Sequence, residues 1–173
     1  MNTSIKRNRN KLQIILVLTI LFVLITTSLI KKGKVIVVED KAHGIHREFY
    51  LQDNNFKLSY THSVHKSLVE EYFTVTDDNK ILLQKNVFDS FGVGAPYIEN
   101  PDDLKIENGK FVLKMNRLFD EINMVISPIP KHKLTIGEKE IDIIDLLSED
   151  TDSIKIYIIE KDVILFGNKY HII

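Results

Sequence analysis

At 173 residues the chain can hold one domain with a real hydrophobic core plus an appendage, and its formal net charge of −1 hides a division. Residues 1–34 carry seven of the 23 Lys/Arg and none of the 24 Asp/Glu, leaving 16 basic against 24 acidic residues, a formal −8, in the rest; such a balance excludes nucleic acid as a partner. The absence of cysteine excludes a disulfide framework and a lipidated-cysteine anchor, and it fits an extracytoplasmic domain.

In chain order, residues 1–11 form a basic segment with Lys6, Arg7, Arg9 and Lys11. Residues 12–30, "LQIILVLTILFVLITTSLI", contain no charge. As a helix this run spans roughly 28 Å, close to the hydrocarbon thickness of a bilayer. The expectation is a signal-anchor helix with a cytoplasmic N-terminus and residues 34–173 outside the membrane. The alternative is a signal peptide cleaved near Ser28.

Beyond the apolar run, short stretches rich in Ile, Val, Tyr, Phe and Thr predict strands at 34–40, 47–51, 56–63, 68–75 and 81–88. Residues 77–79 are a turn, and Gly92, Gly94 and Pro96 make 91–97 irregular. Asn108-Gly109 lies between two alternating runs over 104–115 and is the strongest hairpin signal in the chain. Strands at 122–130, 132–137, 139–147 and 153–167 complete the pattern, with a helical turn expected only at 116–123 and at 139–147. The expected fold is therefore all-β, an antiparallel β-sandwich or small barrel-like domain, preceded by one N-terminal transmembrane helix.

The stretch 60–75, "YTHSVHKSLVEEYFTV", carries the candidate site. Alternation puts Phe56, Leu58, Tyr60 and His62 on one face of the first strand, and Val69, Glu71, Phe73 and Val75 on the same face of the second. Directly opposed residues must then sum to an odd number. A four-residue connection over 64–67 gives a sum of 131, with Tyr60 opposite Glu71 and His62 diagonal to it at about 7 Å between backbones. A carboxylate on an apolar face needs partners or a raised pKa, and Tyr60 and His62 are suitable partners. This cluster is either a ligand-facing site or a satisfied structural triad. The 91–96 loop is expected to cover it, with Gly92 and Gly94 allowing unusual backbone angles and Pro96 stiffening the exit.

The same residues resemble a known family. "YTHSVHKSLVEEYFTV" followed by "FGVGAP" is similar to the pattern of the DUF1850 family, His-Ser-Val-x-Lys-x-Pro-Val-x-Glu and then Phe-Gly-x-Gly-x-Pro. His62, Ser63, Val64, Lys66, Val69, Glu71, Gly92, Gly94 and Pro96 match it, and Leu68 stands where the family has proline. The similarity covers about residues 47–160. It implies a short secreted or membrane-anchored protein with no established activity, and an accessory role beside a TRAP-type (TAXI) transporter.

Other chemistries fare worse. His43 and His46, and His62 and His65, share an His-x-x-His spacing that puts both rings on one face only in a helix; His43, His46 and His65 read as surface histidines. Ser63 and His62 are strand neighbours facing opposite sides, so they make no nucleophile–base pair. "FGVGAP" lacks the lysine and the following helix of a phosphate loop. The reading is a membrane-anchored extracytoplasmic accessory or binding protein whose partner is a TRAP-type permease or solute. Its candidate residues are Tyr60, His62, Ser63, Lys66, Glu71, Gly92, Gly94 and Pro96, with no cofactor and no metal. The alternatives are a small metal-dependent enzyme using His62 and Glu71, and a purely structural envelope protein.

Overall fold

The computed structural model describes residues 13–24, 29–61, 66–90, 98, 100–166 and 169–172. The chain divides into two compact units, Met1–Lys32 with Lys161–Ile173, and Gly33–Glu160.

In the first unit, residues 13–24 are helical. Their apolar side chains are exposed, from Val23 at 50% to Phe22 at 68%. Among the described residues no helix is long and apolar enough to cross a membrane. Residues 25–28, which fall inside the expected span, lie outside the described residues. The last residue of that expected span, Ile30, begins a strand, because an uninterrupted apolar run does not by itself separate helix from strand.

The strands, in order, are β1 (Ile30–Asp40), β2 (Ile45–Tyr50), β3 (Asn55–Thr61), β4 (Leu68–Val75), β5 (Ile81–Phe88), β6 (Leu104–Glu107), β7 (Lys110–Phe119), β8 (Glu121–Val125), β9 (Lys133–Ile136), β10 (Lys139–Asp142), β11 (Ser153–Phe166) and β12 (Lys169–Ile172). The chain is mostly β, in antiparallel sheets. In the larger unit, β2, β1 and β11 are neighbours, with β8 also on β11. A second sheet has the order β10-β9-β3-β4-β5-β7-β6. Alternation decides which side of each strand is buried. Phe56 and Leu58 of β3, Phe73 and Val75 of β4, and Ile81 and Leu83 of β5 join Ile36, Val38, Ile154 and Ile156 from the first sheet in one core.

The Asn108-Gly109 hairpin is present, with both residues at positive φ (50° and 78°), as a two-residue turn matched to strand twist requires. Residues 116–123 differ from expectation: β7 runs on to Phe119, the chain turns at Asp120, and β8 begins at Glu121. Pairing with β5 as far as Ile81↔Phe119 holds this stretch extended, so tertiary context overrides its weak helical signal. The helical turn expected within 139–147 is a 3-10 turn at Ile143–Leu146, directly after β10. In the first unit, β12 pairs with the end of β11 (Val163↔Ile172), a strand that the sequence pattern left unmarked.

Candidate functional site

β3 and β4 pair as expected in face but not in register. The opposed residues are Thr61↔Leu68, Tyr60↔Val69, Leu58↔Glu71 and Phe56↔Phe73, a sum of 129 where 131 was expected. A slip of two residues keeps every side chain on its face. The packing selects it: Phe56 and Phe73 stack with ring centroids 4.9 Å apart, whereas the other register sets Phe56 against Val75. The connection is longer by two residues, 62–67, and Lys66 within it has a left-handed backbone (φ 49°). Tyr60 is therefore the diagonal neighbour of Glu71, not its opposite.

The registers place Glu71 in one row of directly opposed residues across all seven strands: Ile141, Leu134, Leu58, Glu71, Asn86, Leu113 and Leu104. Five are aliphatic, and the two polar ones are adjacent. Asn86 is 4% exposed, and among the described residues its Oδ1 accepts no hydrogen bond. Rows on either side are apolar, with Tyr60, Val69, Phe88 and Phe111 on one side and Phe56, Phe73 and Leu83 on the other. Arg117 extends the latter row opposite Leu83, its guanidinium 5.6 Å from the Phe119 ring.

Burial pushes the Glu71 carboxyl above its ordinary pKa, opposed by the positive charge of Arg117. Burial, and secondarily the charge of Glu71, pushes the Tyr60 hydroxyl up to about 12, so it stays protonated. The neighbouring Glu70 shows the contrast. It faces the other side of the sheet, where Lys57 Nζ donates to its Oε1 at 2.6 Å and Lys110 Nζ lies 3.6 Å from its Oε2. That hydrogen bond raises the Lys57 pKa. On the same outer face Tyr72 lies beneath two lysines, with Lys85 Nζ 4.4 Å and Lys57 Nζ 5.9 Å from its ring centre. One glutamate has two lysines; the next, one residue on, has an apolar row and an unpaired amide oxygen.

Of the expected site residues, the described ones are Tyr60, Lys66 and Glu71. Tyr60 and Glu71 share the inner face, and Lys66 is exposed in the connection. His62, Ser63, Gly92, Gly94 and Pro96 lie outside the described residues. The structure adds Asn86, Arg117 and His132, whose ring lies 5.7 Å from that of Tyr60. Asn86 escapes sequence alternation because β5 carries irregularities against both neighbours near Leu83–Lys85, which shift the parity of its second half. Among the described residues no group of three or more His, Cys, Asp or Glu is arranged to hold a metal ion.

A second polar centre lies at the end of β1. Asp40 is fully buried and accepts from Thr151 Oγ1 and, at 3.2 Å, from the His43 backbone N–H, with His43 Nδ1 2.7 Å from its Oδ2. These contacts, that of Thr151 foremost, hold its carboxyl below the ordinary range against the opposing effect of burial. His43, expected to be a plain surface histidine, is tied to this aspartate.

The larger unit is thus a β-domain with a polar pair set into an apolar sheet face. The family model described as "Domain of unknown function (DUF1850)" matches residues 56–143, and the chain belongs to this family. The match begins one residue into β3 and ends just after β10, so it spans the seven-stranded sheet and with it Glu71 and Asn86. No curated protein and no solved structure shows significant similarity to the chain.

Proposed function

We propose that the chain is a membrane-anchored, extracytoplasmic accessory protein, a non-enzymatic binding module, with a two-sheet sandwich as its binding domain. One observation carries this reading: Glu71 and Asn86 occupy the middle of an otherwise aliphatic row, where a half-buried carboxyl and a buried, unpaired amide oxygen lower stability. Polar groups kept at such a cost are suited to a partner that supplies their hydrogen bonds. In this reading Tyr60, Asn86 and Arg117 belong to the site of Glu71, and His62, Ser63, Lys66 and the 91–96 loop complete it. The anchor is the apolar run 12–30 behind its basic segment; ten exposed apolar side chains between Ile14 and Leu24 are costly in water and favourable in lipid.

The family resemblance implies a TRAP-type permease as the partner. The experiment is co-expression of the full chain with such a permease and affinity purification from detergent extracts. His62→Ala and Glu71→Gln should keep the circular dichroism spectrum of the parent and lose the permease. Unfolding of both variants would instead assign the cluster to the core alone. Carbonate washing of membranes tests the anchor, and release of a chain beginning near residue 29 would favour cleavage.

A further inference from the structure

Residues 126–128 and 131–133, which lead from β8 into β9, together with Asp142, Ile144 and Asp145, border a cavity of about 370 Å³, the size of a small-molecule site. Its apolar part comes from Ile126, Pro128 and Ile144. The segment at its border is held at several points. Thr61 N–H donates to Pro130 O at 2.6 Å and Ile143 N–H to His132 O at 2.9 Å, while Pro128 and Pro130 fix their own φ. Between these fastenings Lys131 has φ +50°, a left-handed backbone uncommon for a residue with a Cβ.

Of the charges on this border, Lys133 is committed, and Asp142, directly opposite it in the β9–β10 pair, adds to the attraction it feels. Lys133 Nζ donates to Glu140 Oε1 at 2.5 Å and is neutralised there. Among the described residues Lys131, Asp142 and Asp145 form no ion pair. Asp142 precedes the 3-10 turn, yet its carboxylate caps no backbone N–H. His132 Nδ1 is buried and, among the described residues, has no hydrogen-bond partner. Burial lowers the His132 pKa and favours the neutral ring, which offers one donor and one acceptor.

We propose that this cavity binds a small zwitterion, an α-amino acid with a short apolar side chain: its carboxylate pairs with Lys131, its ammonium with Asp142 or Asp145, and its side chain packs on Ile126 and Ile144. The border discriminates by charge. A simple anion gains Lys131 but meets two carboxylates, and a simple cation gains the carboxylates but meets Lys131. Only a molecule bearing both charges satisfies both sides. The inference goes beyond the reading of Glu71 and does not depend on it.

The test is isothermal titration of the full chain in detergent micelles with L-leucine, 4-methylpentanoate and isoamylamine, the last two lacking the amine and the carboxylate respectively. L-leucine is expected to bind, and each half-analogue to bind at least about tenfold more weakly. Lys131→Gln and Asp142→Asn, both exposed positions, should each weaken L-leucine about tenfold without moving the thermal midpoint, while Lys85→Gln on β5, four strands away from β10 in the sheet order, changes nothing. No heat with L-leucine up to about 10 mM overturns the proposal. So does an analogue that binds as tightly as L-leucine, or retained binding in both cavity variants.

Discussion

Replacing Glu71 by leucine should make the protein more stable. The wild-type side chain already buries two methylenes, worth about 0.8 kcal/mol each, so leucine adds only about 1 kcal/mol of apolar burial. It also removes a carboxyl with no described hydrogen-bond partner, relieving about 1–3 kcal/mol, and forfeits an attraction to exposed Arg117 of at most about 1 kcal/mol. The net expectation is a gain of about 2 kcal/mol, or about 1 M in the urea midpoint for a slope near 2 kcal/mol per molar. The chain has no tryptophan and six tyrosines, so far-UV circular dichroism is the suitable signal.

The pH dependence supplies an independent check. Glu71 has a folded pKa above its unfolded value, so folding favours its protonated form. Its destabilising effect is absent below the unfolded carboxyl pKa, grows as pH rises through the folded pKa, and is complete above it. The advantage of Glu71→Leu should therefore be largest near pH 8 and shrink as the pH falls toward the ordinary carboxyl range. A leucine variant less stable than the parent at every pH would refute the reasoning. It would mean that Glu71 holds a hydrogen-bond network that fixes the strands.

Other consequences are simpler. Phe73→Ala removes one ring of the stacked Phe56–Phe73 pair from a site 3% exposed and should cost about 3–5 kcal/mol in urea unfolding. Gly109→Ala meets no atom within 4 Å of the new Cβ, so its loss of about 1 kcal/mol, read from the thermal midpoint, comes from the backbone at φ 78° alone. Thr151→Val should lower the urea midpoint at pH 7. Asp40 has a depressed folded pKa, so its contribution is present above the unfolded pKa and is lost as the pH falls through the folded one; the Thr151→Val effect should fade in parallel, and an effect unchanged in acid would count against the carboxylate as partner.

Sequence alone revealed most of the strands, because alternation is a property of single residues and survives errors in pairing. β3 and β4 show the limit. Face was legible from Phe56, Leu58, Val69 and Phe73, yet register was not, since sums of 129 and 131 present the same faces to the core. What separated them was the contact of Phe56 with Phe73 and the pairing of β4 with β5, both long-range facts. Tyr60 and Glu71 are accordingly neighbours on one face as expected, but diagonal rather than opposed, with Leu58 opposite Glu71. Asn86 was illegible for a related reason, since the irregularity in β5 turns a residue on an apparently outer position inward. Arg117 was hidden by reading 116–123 as a helical turn, and His132 by the lack of any local signal that its ring meets Tyr60.

Glu70 and Glu71 together carry the argument for function. If the chain needed a glutamate here only for solubility or pairing, Glu70 already meets that need with Lys57 and Lys110. Stability asks for an aliphatic residue at 71, matching Leu58 on one side and Leu113 beyond Asn86 on the other. Two adjacent departures from that pattern, a carboxyl and an amide in register, present hydrogen-bonding groups of both kinds to one small patch, which is what the proposed recognition would use. A stabilised Glu71→Leu protein that no longer binds the proposed permease partner would tie the stability cost to the proposed recognition. One that is stabilised and still binds would remove Glu71 from the site and leave the cavity beside His132 as the place to look.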